Sequence, residues 1–447
     1  MTGSRQPMSA GPERGRRVAI LYHYMYPDDV VSAQHLSGLA EDLAAQGWQV
    51  EALPCNRGCR DDQRLYARRE QHQGVRYNRI WRPRWPQNRA LGRLANAIWM
   101  MTAWSLLALR GPDRRPDIVI IGTDPVFALL VAVPLKLLAP RMTLAHWCFD
   151  LHPEAAMAAG QVRENGVATR LVRWAMRRAY QRCDLIADLG SCMRQRLRRH
   201  DHSAREVELT PWALVEPTAP VAMDPVVRTQ TFGAARLALL YSGNFGEAHS
   251  YEELLGLARR LRHEEAVRFC FAVRGNRAEA LKQAVGPEDR NIRFAGFVPL
   301  AELETRLGSA DIHLMSLKPD WAGIAVPSKF FGSLASGRPI IFAGDRHSAV
   351  ARWIADHHVG WHLSPDTREA VIDDLLGLLH DADRLKALQR HCHDVYQRHF
   401  SRRRITALWN AELSDLVSQD QPAGRSGGSD KVARPIDGGP FQPINRD

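Results

Sequence analysis

Nowhere does this 447-residue chain offer an uninterrupted apolar run of the roughly 20 residues that a bilayer-spanning helix requires. Its two most apolar stretches are 91–109, which contains Arg93 and Asn96, and 125–139, which is short and carries Lys136. Both read as core helices, with Trp99, Met100, Met101 and Trp104 as the side chains suited to touching lipid. The N-terminus, MTGSRQPMSAGPERGRR, lacks the apolar segment of a secretory signal, so the chain is expected in the cytoplasm. A disulfide framework is equally unsupported: the seven cysteines, at 55, 59, 148, 183, 192, 270 and 392, are odd in number and scattered, which suits reduced thiols. Neither Cys55 with Cys59 nor His391-Cys392-His393 has the spacing of a zinc module, and no metal is expected. The net charge of +11 is concentrated in arginines between Arg163 and Arg205, without interleaved aromatics or a recognisable nucleic-acid module. No nucleic-acid partner is expected. The same residues suit an anionic membrane surface, where each Lys or Arg gains about 1 kcal/mol, or simply a solvated helix face.

What is present is an ordinary globular balance, 45% hydrophobic and 24% charged, in a chain long enough for about two or three domains. Strand candidates at 18–22, 48–53, 117–122, 142–148, 184–189 and 207–210, with a further segment at 75–81 after a polar loop, alternate with helical patterns at 33–45, 91–109, 125–138, 167–182 and 192–200. Such alternation predicts an α/β fold with a parallel, doubly wound sheet. Residues 215–233, VEPTAPVAMDPVVRTQTFG, are rich in proline, show no helical period and read as a linker. A second series follows, with strands beginning at Arg236, Val267, Ile292, Asp311, Pro339 and Gly360 and helices beginning at Tyr251, Arg277, Leu300, Ser328, Ser348 and Thr367. The expected organisation is a disordered N-terminus (1–16), a first Rossmann-like lobe (17–214), the linker (215–233), a second lobe (234–394), a terminal helix (395–418) and a disordered tail (419–447). The tail is polar with Gly and Pro, and cannot offset the entropy of its own ordering.

Two such lobes leave a cleft between the carboxyl ends of their sheets, where ligands bind in folds of this kind. One loop there is Gly243-Asn244-Phe245-Gly246, whose glycines permit close backbone approach to phosphate oxygens. Another is Pro327-Ser328-Lys329, within GIAVPSKFFGSLASGRPIIF (323–342), which places a serine and a lysine at a helix start and so suits a diphosphate. From the first lobe, Asp150 follows a buried strand and should stand at the cleft edge. An acid there orients an acceptor or sugar hydroxyl, or else caps the next helix. His152 and Glu154 share its loop, while His23, Tyr24 and Asp28 lie in the first loop; His146, inside a strand, reads as core.

The segments YSGNFGEAHSYEELL, FAVRGNRAEAL, IRFAGFVPLAELETRLGSADIHLMSL and VPSKFFGSLASGRPIIFAGD, within 237–345, resemble the nucleotide-sugar domain of GT-B glycosyltransferases of family 4. Asp150-Leu151-His152-Pro153-Glu154 is similar to the Asp-Leu-x-Pro-Glu sequence of the subgroup that serves bacterial exopolysaccharide, colanic acid and O-antigen assembly, with weaker support from 18–34 and TDPVFALLVAVPLKLL. The resemblance implies a GT-B fold, with two Rossmann-like domains facing a central cleft and a terminal helix crossing back to the first. It implies retaining transfer of a sugar from a nucleotide-diphosphate sugar to a hydroxyl of a polyprenyl-linked saccharide, on the inner face of the cell membrane, without a cofactor or essential metal. Gly243, Asn244, Phe245, Gly246, Arg274, Gly275, Pro327, Ser328 and Lys329 would bind the donor. Lys329 and Asp150 would be catalytic, and His152, Glu154, His23 and Tyr24 would lie on the acceptor side.

One departure stands out. Many family 4 members carry two glutamates eight positions apart in the signature region, the second of which accepts from the nucleotide ribose; here Ile324 and Gly332 occupy those places. Two other readings follow from the same residues: a GT-B nucleotide-sugar epimerase, or a degenerate, non-catalytic partner in polysaccharide assembly.

Overall fold

The computed structural model describes residues 16–87 and 89–420. The disordered termini expected over 1–16 and 419–447 lie outside the described residues, except for Arg16 and the end of a helix that runs to Asp420.

The first sheet comprises β1 (Arg17–Leu21), β2 (Gln49–Ala52), β3 (Arg69–His72), β4 (Val75–Asn78), β5 (Ile118–Ile121), β6 (Thr143–Trp147), β7 (Leu185–Asp188) and β8 (Arg205–Glu208), in the order β3-β4-β2-β1-β5-β6-β7-β8. Its centre is made of short apolar runs such as Ile-Val-Ile-Ile in β5, buried along their whole length because helices cover both faces. All pairs are parallel but one: β3 and β4 form an antiparallel hairpin through Gln73 and Gly74, both at positive φ. The polar β3, Arg-Glu-Gln-His, reads as loop in the sequence because it is an edge strand with no buried face. The last strand, expected at 207–210, begins at Arg205 instead.

Both apolar stretches of the first lobe are broken helices rather than single ones. The first runs as an α-helix over Ala90–Ser105 and tightens to a 3-10 turn over Leu106–Leu109. The second begins as a 3-10 turn, Ala128–Val131, before the α-helix Ala132–Leu138. Met100 and Trp104 are fully buried, and Trp104 Nε1 donates to the Leu53 carbonyl at 2.8 Å. These two therefore cannot touch lipid. The exposed face of that helix is Leu91, Leu94, Ile98 and Trp99.

The second sheet, β9 (Leu237–Asn244), β10 (Val267–Arg274), β11 (Ile292–Phe294), β12 (Ile312–Ser316), β13 (Ile340–Ala343) and β14 (Gly360–Leu363), is wholly parallel in the order β11-β10-β9-β12-β13-β14. The segment read as a structureless linker contains a helix, Pro225–Phe232, capped by the Asp224 carboxylate with proline at its first position. Arg228 fastens it to the second lobe through the Ser309 carbonyl (2.9 Å) and Asp311 (2.6 Å), and Phe232 is fully buried. The C-terminal helix, Arg402–Asp420, returns to the first lobe, where Ile405, Trp409 and Leu413 enter the core against Trp147 and Trp212.

Candidate functional site

β9 carries its ladder past the core to the Asn244–Arg274 pair. At Gly243 the backbone takes φ +133°, and a Cβ there would stand 2.5 Å from Lys329 Cε. The absent side chain is thus the space in which the lysine lies. Lys329 opens the helix Lys329–Ala335; its Nζ donates to the Asn244 carbonyl at 2.9 Å and sits 5.3 Å from the Tyr241 ring centre. It makes no ion pair among the described residues, and burial without a compensating acid lowers its pKa to about 8. A bound anion would supply what the ammonium lacks.

The second glycine turn abuts the first. Phe245 N–H donates to the Arg274 carbonyl at 2.6 Å, and a Cβ on Gly275 would meet the Phe245 carbonyl at 2.6 Å and Asn244 Oδ1 at 2.8 Å. Phe245 is fully buried and its N–H is committed, so it shapes this floor and offers a ligand no group. Gly246 faces Asn244 and Asn276, and the exposed Arg274 stacks 4.1 Å over the Phe297 ring. Pro327 is buried, while Ser328 is exposed with a hydroxyl that caps nothing. The N–H groups of Phe330 and Phe331 turn back to Pro327 and Ser328, at 3.2 and 3.3 Å. The helix start is therefore largely spent, and the positive charge here comes mainly from Lys329 Nζ.

Across the cleft, Asp150 pairs with Ala325 in an isolated antiparallel bridge, and Leu151 N–H donates to the Ile324 carbonyl at 3.0 Å. The Asp150 loop and the signature segment are thereby joined directly. Asp150 is exposed at the cleft edge, yet desolvation by the protein around its carboxyl raises its pKa to about 6. It does not cap the following helix, Glu154–Ala158, whose cap position is Pro153. An acid held partly protonated beside a cleft and a lysine held partly neutral in it are the kind of perturbed pair that marks functional sites.

The remaining first-lobe candidates divide. His152 is partly exposed, edge-on to Phe127 at 6.2 Å, and burial lowers its pKa. His23 and Tyr24 stack at 4.1 Å but are only 3% and 7% exposed, so they lie behind the cleft wall and do not face an acceptor. Burial would lower the His23 pKa, but Asp124, 3.7 Å away, and Cys55 prevail and push it up to about 9. Asp124 is the accessible member of that pair. Glu154 turns from the cleft towards a cluster of arginines. Sequence reasoning missed Asp124, Arg82 and His249. Arg82 is wholly buried, and its guanidinium nitrogens have no hydrogen-bond partner among the described residues. His249 Nδ1–H donates to the Ser316 carbonyl at 2.7 Å, and burial followed by the charge of Lys329 lowers its pKa to about 4. Its place shortly after Gly246 was the available signal. Among the described residues no three His, Cys, Asp or Glu side chains converge as a metal site.

A family model described as a glycosyl transferase 4-like domain matches residues 32–213, and one described as glycosyl transferases group 1 matches 236–381. WbjE of Pseudomonas aeruginosa, named as a glycosyltransferase, is 27% identical over 303 residues, covering 66% of this chain and 75% of WbjE. WcaI of Escherichia coli K12, named for colanic acid biosynthesis, is 29% identical over 114 residues, 26% of this chain and 28% of WcaI. Among solved structures, sucrose-phosphate synthase of Thermosynechococcus elongatus aligns with a TM-score of 0.66 at 13% identity, over 90% of this chain and all of that one. HepE of Anabaena, solved with UDP, gives 0.60 at 11% identity, again over 90% and 100%. At these identities the two structures speak to fold alone.

Proposed function

The chain is a glycosyltransferase of the GT-B fold and belongs to family 4, and on that premise we propose that it transfers a sugar, with retention, from a nucleotide-diphosphate sugar to a hydroxyl of a lipid-linked saccharide in cell-surface polysaccharide assembly. The observation that carries this reading is the Lys329 ammonium, unpaired with any acid among the described residues and held over Gly243 by the Asn244 carbonyl. Charge that develops on a departing diphosphate is stabilised by a cation fixed in advance in a poorly solvated place. The departing phosphate can take the acceptor proton, so Asp150 need only orient the acceptor. The name of WcaI supports the polysaccharide setting.

No helix among the described residues is long and apolar enough to cross a membrane. The covering helices of the first lobe expose Leu94, Ile98, Trp99, Leu137, Leu171 and Trp174 among arginines. That mixture supports a peripheral seat on an anionic inner membrane face.

The test is a thermal-shift screen with UDP-, GDP- and TDP-sugars, followed by turnover of Lys329→Ala with the donor so identified. At least one sugar nucleotide should raise Tm, and the variant should fold yet lose about 10²–10³-fold in kcat. A protein that no nucleotide sugar stabilises, or a variant with normal turnover, would falsify this function.

A further inference from the structure

The loop that brings Asp150 to the cleft sends Glu154 the other way, into a cavity of about 300 Å³ beneath the helices Val167–Tyr180 and Ser191–Leu197. Arg173, Arg177, Arg196 and Arg199 line it, with Trp174 beside them. Two of these cations have acids: Arg173 lies 3.7 Å from Glu164, and Arg177 lies 2.6 Å from Asp201. The other two do not. Arg196 donates only to main-chain carbonyls, of Ala322 at 2.8 Å and Asp320 at 3.4 Å, and Arg199 makes no hydrogen bond or ion pair among the described residues.

The local field is positive. Burial and then the charge of Arg199 lower the Arg196 pKa, against the opposing pull of Glu154 and Asp320. His200, also in the lining, is held neutral by burial, Arg173, His202 and Arg177, at about 4. Meanwhile one carboxylate oxygen of Glu154 is buried with no hydrogen-bond partner among the described residues, a state that costs free energy until a donor arrives. The cavity thus has guanidiniums in want of an anion and an acceptor in want of a hydroxyl or amide. Guanidinium forks match phosphate oxygens, and a sugar attached to that phosphate brings the hydroxyl. Trp174 is 57% exposed and shares its helix with the exposed Val167 and Leu171, so apolar surface adjoins the charged cavity.

We propose that this cavity binds the phosphate group of a phosphate-linked saccharide, with Arg196 and Arg199 on the phosphate and Glu154 on the sugar. The inference rests on the lipid-linked acceptor reading above and gives that acceptor its anchoring point, outside the donor cleft.

Isothermal titration with inorganic pyrophosphate separates this site from the donor site. The native chain should bind at two sites and Lys329→Ala at one. Adding Arg196→Ala and Arg199→Ala to Lys329→Ala should weaken the remaining site at least tenfold, whereas the corresponding Lys substitutions should retain part of it. Cosedimentation then identifies the source, using phosphatidylcholine vesicles doped with polyprenyl diphosphate or with phosphatidylglycerol. Loss of binding by the arginine variant on the first alone assigns the site to the acceptor lipid. Equal loss on both assigns the phosphate to bulk headgroups and overturns the acceptor role. Unchanged pyrophosphate binding in a variant that melts like the parent overturns the site itself. Because pyrophosphate binding needs no sugar transfer, failure here leaves the transferase reading standing, and failure of the nucleotide-sugar screen leaves this titration valid.

Discussion

Lys329 reaches the Asn244 carbonyl, at 2.9 Å, only by crossing the space that Gly243 leaves open. Gly243→Ala asks two things of the loop at once: to hold an alanine at φ +133°, which costs about 1–3 kcal/mol, and to move a lysine whose Cε lies 2.5 Å from the new methyl. Displacing a positioned group by about 1 Å can cost roughly 10²-fold in rate. The variant should therefore melt a few degrees lower and lose about 10²-fold in kcat, read by a coupled nucleotide-release assay. Normal kcat would show that the lysine is not held where the reaction needs it.

The pH dependence follows from two displaced groups. Asp150 is ionised above its raised pKa of about 6, and Lys329 is charged below its lowered pKa of about 8. If both charged forms act, kcat/KM, which reports the free enzyme, rises through the first value and falls through the second. Asp150→Asn should abolish the acid limb. A bound diphosphate favours the ammonium, so the alkaline limb of kcat should lie higher than that of kcat/KM. A kcat/KM profile flat from about pH 5 to 9 would exclude both assignments.

Much of this arrangement is written in local pattern. Wholly apolar runs such as β5 and the glycines at 243 and 275 are legible because burial on two faces and positive φ each demand particular residues. The hairpin of β3 and β4 is not, since a polar edge strand has no buried face to give it a period. The helix Pro225–Phe232 hides in proline-rich text although Asp224 and Pro225 are a helix start; its buried polar residue, Arg228, looks like a surface one until Asp311 is seen beside it. The concealment of His23 and Tyr24 is likewise tertiary. Nothing near them in sequence shows that Asp124, from another strand end, takes the exposed place.

Any closure of the lobes on donor would be confined by the helix Pro225–Phe232, which is fastened to the second lobe. From Val221, whose N–H donates to the Ser336 carbonyl at 3.1 Å, the linker is bound to the second lobe, and Tyr396 and Phe400 lie in that lobe's core, so a hinge would lie in 214–220 and at the extended Ser401. Glu216 ties the two crossings together, accepting from the Tyr396 hydroxyl and from Arg402 N–H at 2.8 Å. Small-angle scattering should show the native chain contracting when donor binds. Glu216→Ala should destabilise the fold by about 1–3 kcal/mol and broaden the unliganded ensemble. Identical native profiles with and without donor would sink the closure.

Gly332 sits inside the helix Lys329–Ala335, where related enzymes carry a ribose-binding glutamate, and a Cβ added to it meets nothing within 4 Å. Ile324, at the other glutamate place, is only 2% exposed and packs in the first lobe's core, so it cannot be exchanged for an acid without cost. Gly332→Glu is therefore the informative change. It replaces a helix-interior glycine, which should add about 0.5–1 kcal/mol of stability. Should the ribose lie here, it also provides a charged hydrogen bond of about 1.5–3 kcal/mol, a ten- to hundredfold gain in donor affinity. The expected result is a higher Tm with a donor KM at least tenfold lower and kcat little changed. A stabilised variant with unaltered KM would mean that the nucleotide ribose does not lie against this helix, and that the phosphates at Lys329 carry the donor's orientation without it.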